Sequence, residues 1–331
     1  MAKKTDFNET LKGYETSNEW SFNGGKNCFT KELSTVKKLQ PAVYRVKDEW
    51  LGSGTVPVFS PVNIHSDNIS FEDYSDEVKN IIKNIEVFWG SIEKFKKFKI
   101  LQKLGILFYG SPGTGKTILI NYLISKHLEQ DGIALIGDGD LTYWGKAISD
   151  FRDVEPNRKI LFLIEDIDCY IEKNEKVLLN LLDGNHNTNN ILFIATTNYP
   201  EKLDARLIDR PGRFHWVVEL GCPDAERRYS FFMKELRENE FPITHKELEF
   251  LVKETEGLSM AHCRNVLNCV LIFENNVVDA LKQAKQAKKI NNKSVGFVED
   301  TPKKVKAGFS LKEVVGKQDS TDGIGEGTKI D

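Results

Sequence analysis

Gly105-Ile106-Leu107-Phe108-Tyr109-Gly110-Ser111-Pro112-Gly113-Thr114-Gly115-Lys116-Thr117-Ile118-Leu119-Ile120 is the stretch that decides the fold. A short apolar run reads as a buried strand; it stops at a glycine-rich turn and restarts with apolar positions spaced for one helix face. Gly110, Gly115, Lys116 and Thr117 occupy the fixed positions of the phosphate-binding pattern Gly-x4-Gly-Lys-Ser/Thr, in the strand-to-helix setting that separates such sites from chance matches. The chemistry needs these residue types. Glycines let backbone N–H groups close around a phosphate, and a helix N-terminus adds a favourable dipole. A lysine at 116 reaches the β- and γ-phosphates, and the Thr117 hydroxyl suits Mg²⁺. Gly110, Ser111, Pro112, Gly113, Thr114, Gly115, Lys116, Thr117 and Ile118 are therefore the candidate nucleotide contacts.

Working outward, four more short apolar runs follow the same rhythm: 132–137, Ile160 to Ile164, Ile191 to Ala195 and 216–220, each separated by helical or loop sequence. Continuous rather than alternating apolar strands are expected where helices cover both faces of a parallel sheet. The expectation is a doubly wound α/β fold, a P-loop NTPase with a parallel five-stranded sheet over residues 67–222. Upstream, residues 1–66 form an N-terminal extension with strand candidates at 43–46 and 55–59. Downstream, 223–290 carries helical periodicity alone and predicts a small helical lid domain. Residues 291–331 are rich in Lys, Asp, Gly and Thr and read as a disordered tail.

Acids leave the carboxyl end of the strand Ile160 to Ile164 as Glu165-Asp166-Ile167-Asp168, where an open α/β sheet binds its ligands. One acid there can complete a Mg²⁺ shell while its neighbour polarises an attacking water. Asn198, after the strand at 191, places an amide within reach of the same water. Arg210 and Arg213 flank a Pro-Gly turn, and a planar, permanently charged guanidinium suits the charge of a phosphoryl transition state. If these arginines cannot fold back onto their own nucleotide, they serve a neighbour's.

Composition narrows the remaining classes. The 331 residues are 40% hydrophobic and carry a formal net charge of −3, so nothing global recommends a polyanion partner. Five scattered cysteines without Cys-x-x-Cys spacing read as reduced thiols, and the only metal expected is Mg²⁺ arriving with nucleotide. No run approaches the eighteen or so apolar residues of a membrane span; a cytoplasmic protein with no membrane partner is expected. Locally, Lys94, Lys96, Lys97, Lys99 and Lys103 interleave with phenylalanines. That pattern fits a solvated helix face, and nucleic-acid binding stands as its alternative.

Taken together, these motifs resemble an AAA-type ATPase of the AAA+ superfamily over roughly residues 67–285. Residues 110–117 match its Walker A motif, 161–168 its Walker B region, Asn198 its sensor-1 asparagine, and Arg210 with Arg213 its two arginine fingers. The segment 69–74, containing Asp73 and Tyr74, resembles the stretch that touches adenine. The acid order Glu165-Asp166 is reversed from the family's usual Asp-Glu and resembles the branch of the mitochondrial Rieske-protein translocase, without that branch's transmembrane helix. The swap implies that Glu165 serves Mg²⁺ and Asp166 the water. Ser259-Met260-Ala261 stands where the family usually has Ser-Gly-Ala, and Arg264 on the same helix is a candidate γ-phosphate contact. Tyr143, Trp144 and Gly145 sit where threading members carry an aromatic-hydrophobic-glycine pore loop; packing in the core is the competing reading.

The resemblance implies ATP and Mg²⁺ as cofactors and a homo-oligomeric, hexameric ring with nucleotide between the α/β domain and the lid. The expected function is an ATP-hydrolysing motor that remodels, unfolds or threads a protein substrate. A nucleic-acid-associated loader, replication or packaging factor and a nucleotide-switched assembly scaffold are the alternatives.

Overall fold

The structure, a computed structural model, describes residues 20–22, 34–50, 55–64, 74–184, 188–208, 210, 212–273 and 276–294. The stretch 69–73 with Asp73, Cys28, Asp209, Pro211 and the tail from 295 lie outside the described residues. Strands β1 (Trp20–Phe22) and β2 (Ser34–Val36) form a separate antiparallel pair. The other strands among the described residues join one sheet: β3 (Val43–Trp50), β4 (Thr55–Val62), β5 (Lys103–Tyr109), β6 (Ile133–Gly137), β7 (Ile160–Ile164), β8 (Ile191–Thr197) and β9 (Trp216–Glu219). Their order is β4-β3-β6-β7-β8-β5-β9, parallel throughout except for β4 against β3.

The doubly wound α/β class therefore holds, but the sheet has seven strands where five were expected. The two extra strands come from the segment read as an N-terminal extension. β3 runs parallel to β6, with Val43 opposite Ala134 and Tyr44 opposite Leu135. β4 takes the edge, where Pro57 and Pro61 can be accommodated because no further strand needs their missing N–H groups.

Both faces of the sheet are buried, which accounts for the unbroken apolar runs. Ile160, Phe162, Ile164, Ile191 and Phe193 point to one side, into a core with α4 (Leu141–Val154) and α5 (Ile167–Asp183). Leu161, Leu163, Leu192 and Ile194 point to the other, against α1 (Asp76–Gly90) and α3 (Lys116–Glu129). The first of these helices is followed by the short α2 (Ile92–Phe98), and α6 (Ala205–Ile208) precedes β9. A third core belongs to α7 (Ala225–Glu238), α8 (His245–Glu254), α9 (Met260–Leu271) and α10 (Val277–Ser294), built on Phe232, Leu248, Val266 and Leu281. Side-chain caps begin these helices: Asp224 on α7, a Thr244–Glu247 capping box on α8 and Ser259 on α9. β5 is the position at which strand order reverses: the chain goes one way to β6 and returns past it to β9. The crevice at its carboxyl end is the ligand position of such sheets.

The pore-loop reading of 143–145 does not survive. Helix α4 starts at Leu141 on an Asp140 cap, with only residues 138–140 between it and β6, so 143–145 lie within the helix and not in a loop. Trp144 is 0% exposed, donates its indole N–H to Asp138 O at 3.0 Å and packs on Phe162 and Tyr170. Gly145 is buried and Tyr143 half-buried on the same turn. Gly137 makes room for the ring, since a Cβ there would lie 2.6 Å from it. Trp144→Ala is thus expected to destabilise the protein by about 3–5 kcal/mol in urea unfolding. A loss within a few tenths of a kcal/mol would place the ring outside the core.

His127 on α3 gives a pH-dependent counterpart. Its ring is buried against Trp89, with Nε2 3.2 Å from Lys159 O, and burial pushes its pKa down to about 4. The unfolded chain takes up this proton near pH 6.5 and the native state does not, so the group lowers stability as pH falls from 6.5 towards 4. The loss should be about 3 kcal/mol across that window. His127→Gln should flatten this part of the stability–pH curve; an unchanged slope would remove His127 as its source.

Candidate functional site

The loop between β5 and α3 is shaped by glycine. Gly110, Gly113 and Gly115 have φ of 149°, 80° and 101°, a region in which a side chain at 113 or 115 would be strained. Gly110 is also held by packing, because a Cβ there would lie 2.2 Å from Leu220 O. Gly115 caps α3 with no side chain, so the first-turn N–H groups of α3 have no intrahelical partners. Lys116 lies nearly buried above this turn and donates from Nζ to Gly110 O at 2.6 Å and Ser111 O at 3.1 Å. Burial lowers its pKa, and the negative charge of Asp166 opposes the shift. Thr114 is buried, with its hydroxyl on Ser111 O, whereas Thr117 is exposed on the first helical turn, beside Ile118. A glycine cradle, an uncapped helix start and one ammonium form a site whose chemistry fits a polyphosphate.

The acids meet this loop from the neighbouring strands. Glu165 and Asp166 are exposed at the end of β7. Desolvation and then the Asp166 charge raise the pKa of Glu165, with Arg45 opposing them. Asp166 is in a left-handed conformation, φ 46°, fixed by its N–H on Thr196 Oγ at 3.1 Å. Its Oδ1 accepts from Asn198 Nδ2 at 3.3 Å, which brings together two side chains 32 positions apart. Asp168, also in the acidic run, faces the other way: it is buried and accepts from Thr197 Oγ at 2.6 Å, and that same oxygen accepts from Tyr199 N. It holds the end of β8 in place.

The reading missed several of these supports. Thr196 and Thr197 were visible only as a Thr-Thr-Asn string, with nothing to show which hydroxyl met which acid. Arg45 was hidden by the assignment of its strand to an extension. On β3 it reaches Asp138 at 3.6 Å, with its charge felt at Glu165.

The two arginines part company. Arg213 is 3% exposed, and its guanidinium makes a two-pronged pair with Asp183, Nε to Oδ1 at 2.7 Å and Nη2 to Oδ2 at 2.9 Å, while Nη1 donates to Arg206 O. Its donors are engaged within its own chain, so the expectation that it is presented as a second finger is corrected: it fixes the turn. The Arg213 bond holds the Asp183 carboxyl below the usual carboxylate range. Arg210 is 61% exposed, with a single 3.3 Å contact to the same carboxylate. Arg264 is likewise engaged within its own chain, paired with Glu235 at 3.0 Å and set over the Phe231 ring. The lid instead touches the loop through its backbone, Ala261 N–H donating to Gly113 O at 3.1 Å. Tyr74 is buried against Tyr122 of α3 at 5.6 Å between ring centroids.

Fold and site define a P-loop nucleotide-binding protein of the doubly wound type. Residues 106–222 match the family described as ATPase family associated with various cellular activities (AAA). This segment is an AAA-type ATPase domain, and its relatives place that domain in the AAA+ superfamily. The chain is 30% identical over 210 residues to a protein named cell division cycle protein 48 homolog from Archaeoglobus fulgidus. It is 30% identical over 200 residues to an ATPase family gene 2 protein from Schizosaccharomyces pombe, and 28% over 229 residues to a putative cell division cycle ATPase from Plasmodium falciparum. These matches cover 57%, 55% and 62% of this chain but only 28%, 24% and 18% of the relatives.

Removing Arg213 takes its two-pronged bond away from the partly exposed Asp183, which keeps its contact with Arg210. Arg213→Ala is expected to destabilise the protein by about 1.5–3 kcal/mol. Arg213→Lys should recover only part of this, because one ammonium cannot span both carboxylate oxygens. Arg210→Ala should leave stability within about 0.5 kcal/mol. Equal urea midpoints for Arg213→Ala and wild type would mean that the pair does not form.

Proposed function

We propose that the chain binds and hydrolyses ATP with Mg²⁺ as part of a ring-forming assembly, most simply a hexamer, that remodels a protein substrate. The convergence of Lys116, Asp166 and Asn198 from three different connections at one end of the sheet carries the reading. The backbone cradle and Lys116 hold the phosphates. Thr117 and Glu165 are the residues that would hold Mg²⁺, which supplies charge neutralisation at the phosphates when bound. Asp166, steadied by Thr196 and Asn198, polarises the attacking water. Arg210 is exposed and belongs to another copy's nucleotide. The domain division supports the same picture, with the α/β body ending near 222 and a lid over 223–290 reaching back to Gly113. Among the described residues no helix is long and apolar enough to cross a membrane, and action in the cytoplasm is part of the proposal. With Trp144 in the core, substrate handling is assigned to movement of the subunits rather than to an aromatic grip at 143–145.

Lys116→Ala should abolish ATP binding, while Asp166→Asn should keep ATP bound and lose turnover. An active Asp166→Asn with a turnover-dead, ATP-retaining Glu165→Gln would exchange the two acid roles. Arg210→Ala should lower hydrolysis by about 10³-fold or more. Mixing it with Lys116→Ala should restore partial activity, since some junctions then join a sound loop to a sound arginine. No recovery in demonstrated mixed assemblies would confine Arg210 to its own chain.

A further inference from the structure

Strand β3 brings a cation to the acid edge of the sheet. Val43 packs in the same core as Leu161 and Leu163, whereas Tyr44 and Val46 pack in the other. By alternation along the strand, Arg45 lies on the face that carries α3 and the phosphate loop. Register sets what it can reach. Arg45 is opposite Ile136 of β6, and Ile136 is opposite Leu163 of β7. Two residues further along the same rows come Asp138 and Glu165, each one position past the end of its strand. The Asp138 N–H still donates to Val46 O at 3.1 Å, so the β3–β6 ladder runs on as far as this acid.

Little in this arrangement serves stability. The Arg45 guanidinium meets Asp138 at 3.6 Å, with the two side chains 41% and 43% exposed, and a pair of that length and exposure contributes little. Its Nε is buried and has no hydrogen-bond partner among the described residues, so the side chain is not clasped as Arg213 is. What the position supplies is charge. Arg45 acts on Glu165, and Asp166 acts on the same carboxyl in the opposite sense. Arginine suits such a post because it stays protonated, and every nitrogen it offers is a donor, so it can pair with a carboxylate but cannot itself ligate a metal.

We propose that Arg45 is the standing counter-cation of Glu165: in the nucleotide-free protein it weakens the hold of these acids on a divalent cation, so that Mg²⁺ stays only when a nucleotide's phosphates add their charge. The inference rests on the reading that Glu165 serves Mg²⁺. It gives the added strand β3 a part in the nucleotide cycle, acting through the field at Glu165 and not as a ligand. A fixed positive charge several ångströms from a divalent ion opposes its binding, and in a half-exposed corner the effect is of the order of three- to tenfold in affinity.

Mn²⁺ titrated into the nucleotide-free protein, with free Mn²⁺ read by electron spin resonance, tests this. Arg45→Met should bind Mn²⁺ about three- to tenfold more tightly than wild type. Arg45→Lys, which keeps the charge, should stay close to wild type, and the gain in Arg45→Met should vanish in about 1 M salt, where exposed charges are screened. Mn²⁺ affinity in Arg45→Met that is unchanged, weaker or undetectable overturns the proposal. So does equal tightening in Arg45→Lys, or a gain that persists in high salt, because either would trace the effect to shape and not to charge. A separate arm measures how much Mg²⁺ strengthens ATP binding. Glu165→Gln should lose that gain; if it keeps the gain, the Mg²⁺ reading of Glu165 fails. Loss of the gain in Glu165→Gln with Mn²⁺ binding unmoved by Arg45→Met would refute the role of Arg45 alone.

Discussion

The constraint from which the structure follows is that a parallel sheet must be covered on both faces while its strands end at a common edge. Each internal strand sends alternate side chains into two separate cores, so Phe162 and Leu161 belong to different packing units though they are neighbours in sequence. Covering both faces forces a helix between successive strands, and each crossover returns the chain to begin again in the same direction. The carboxyl ends of β5, β7 and β8 therefore open together, and the residues just beyond them have little choice of where to meet. Lys116, Asp166 and Asn198 are brought together by that geometry, far apart as they are in the chain.

What was legible in the sequence follows the same logic. The loop 110–117 was readable because its backbone conformation demands glycine, and a demand on residue type survives in one sequence. The strands were readable because burial on both faces leaves no polar alternation. β3 and β4 were visible as short apolar stretches but not as parts of this sheet, since the pairing of Val43 with Ala134 is a contact between distant segments with no local signature.

The misreadings were of side-chain direction. Trp144 stands at a position where an aromatic can project or be buried; the Asp140 cap starts the helix early, and the Asp138 carbonyl then takes the indole proton. Arg213 and Arg210 are three residues apart in the same kind of turn, but only Arg213 has the approach to Asp183 that engages both carboxylate oxygens. A charge's partner, unlike its presence, is fixed by tertiary structure. Arg264 makes the same point, since Glu235 on another helix decides where it faces.

The central claim is that the glycine cradle and Lys116 bind a polyphosphate and not merely a nucleoside. Calorimetric titration of the wild-type chain with ATP, ADP and AMP in Mg²⁺ tests it most directly. Binding of ATP and ADP with AMP weaker by at least about 100-fold is the predicted result, because only the first two place a β-phosphate over the amides of 113–116 and the Lys116 ammonium. AMP binding as tightly as ADP, or no binding of any of the three, would contradict it.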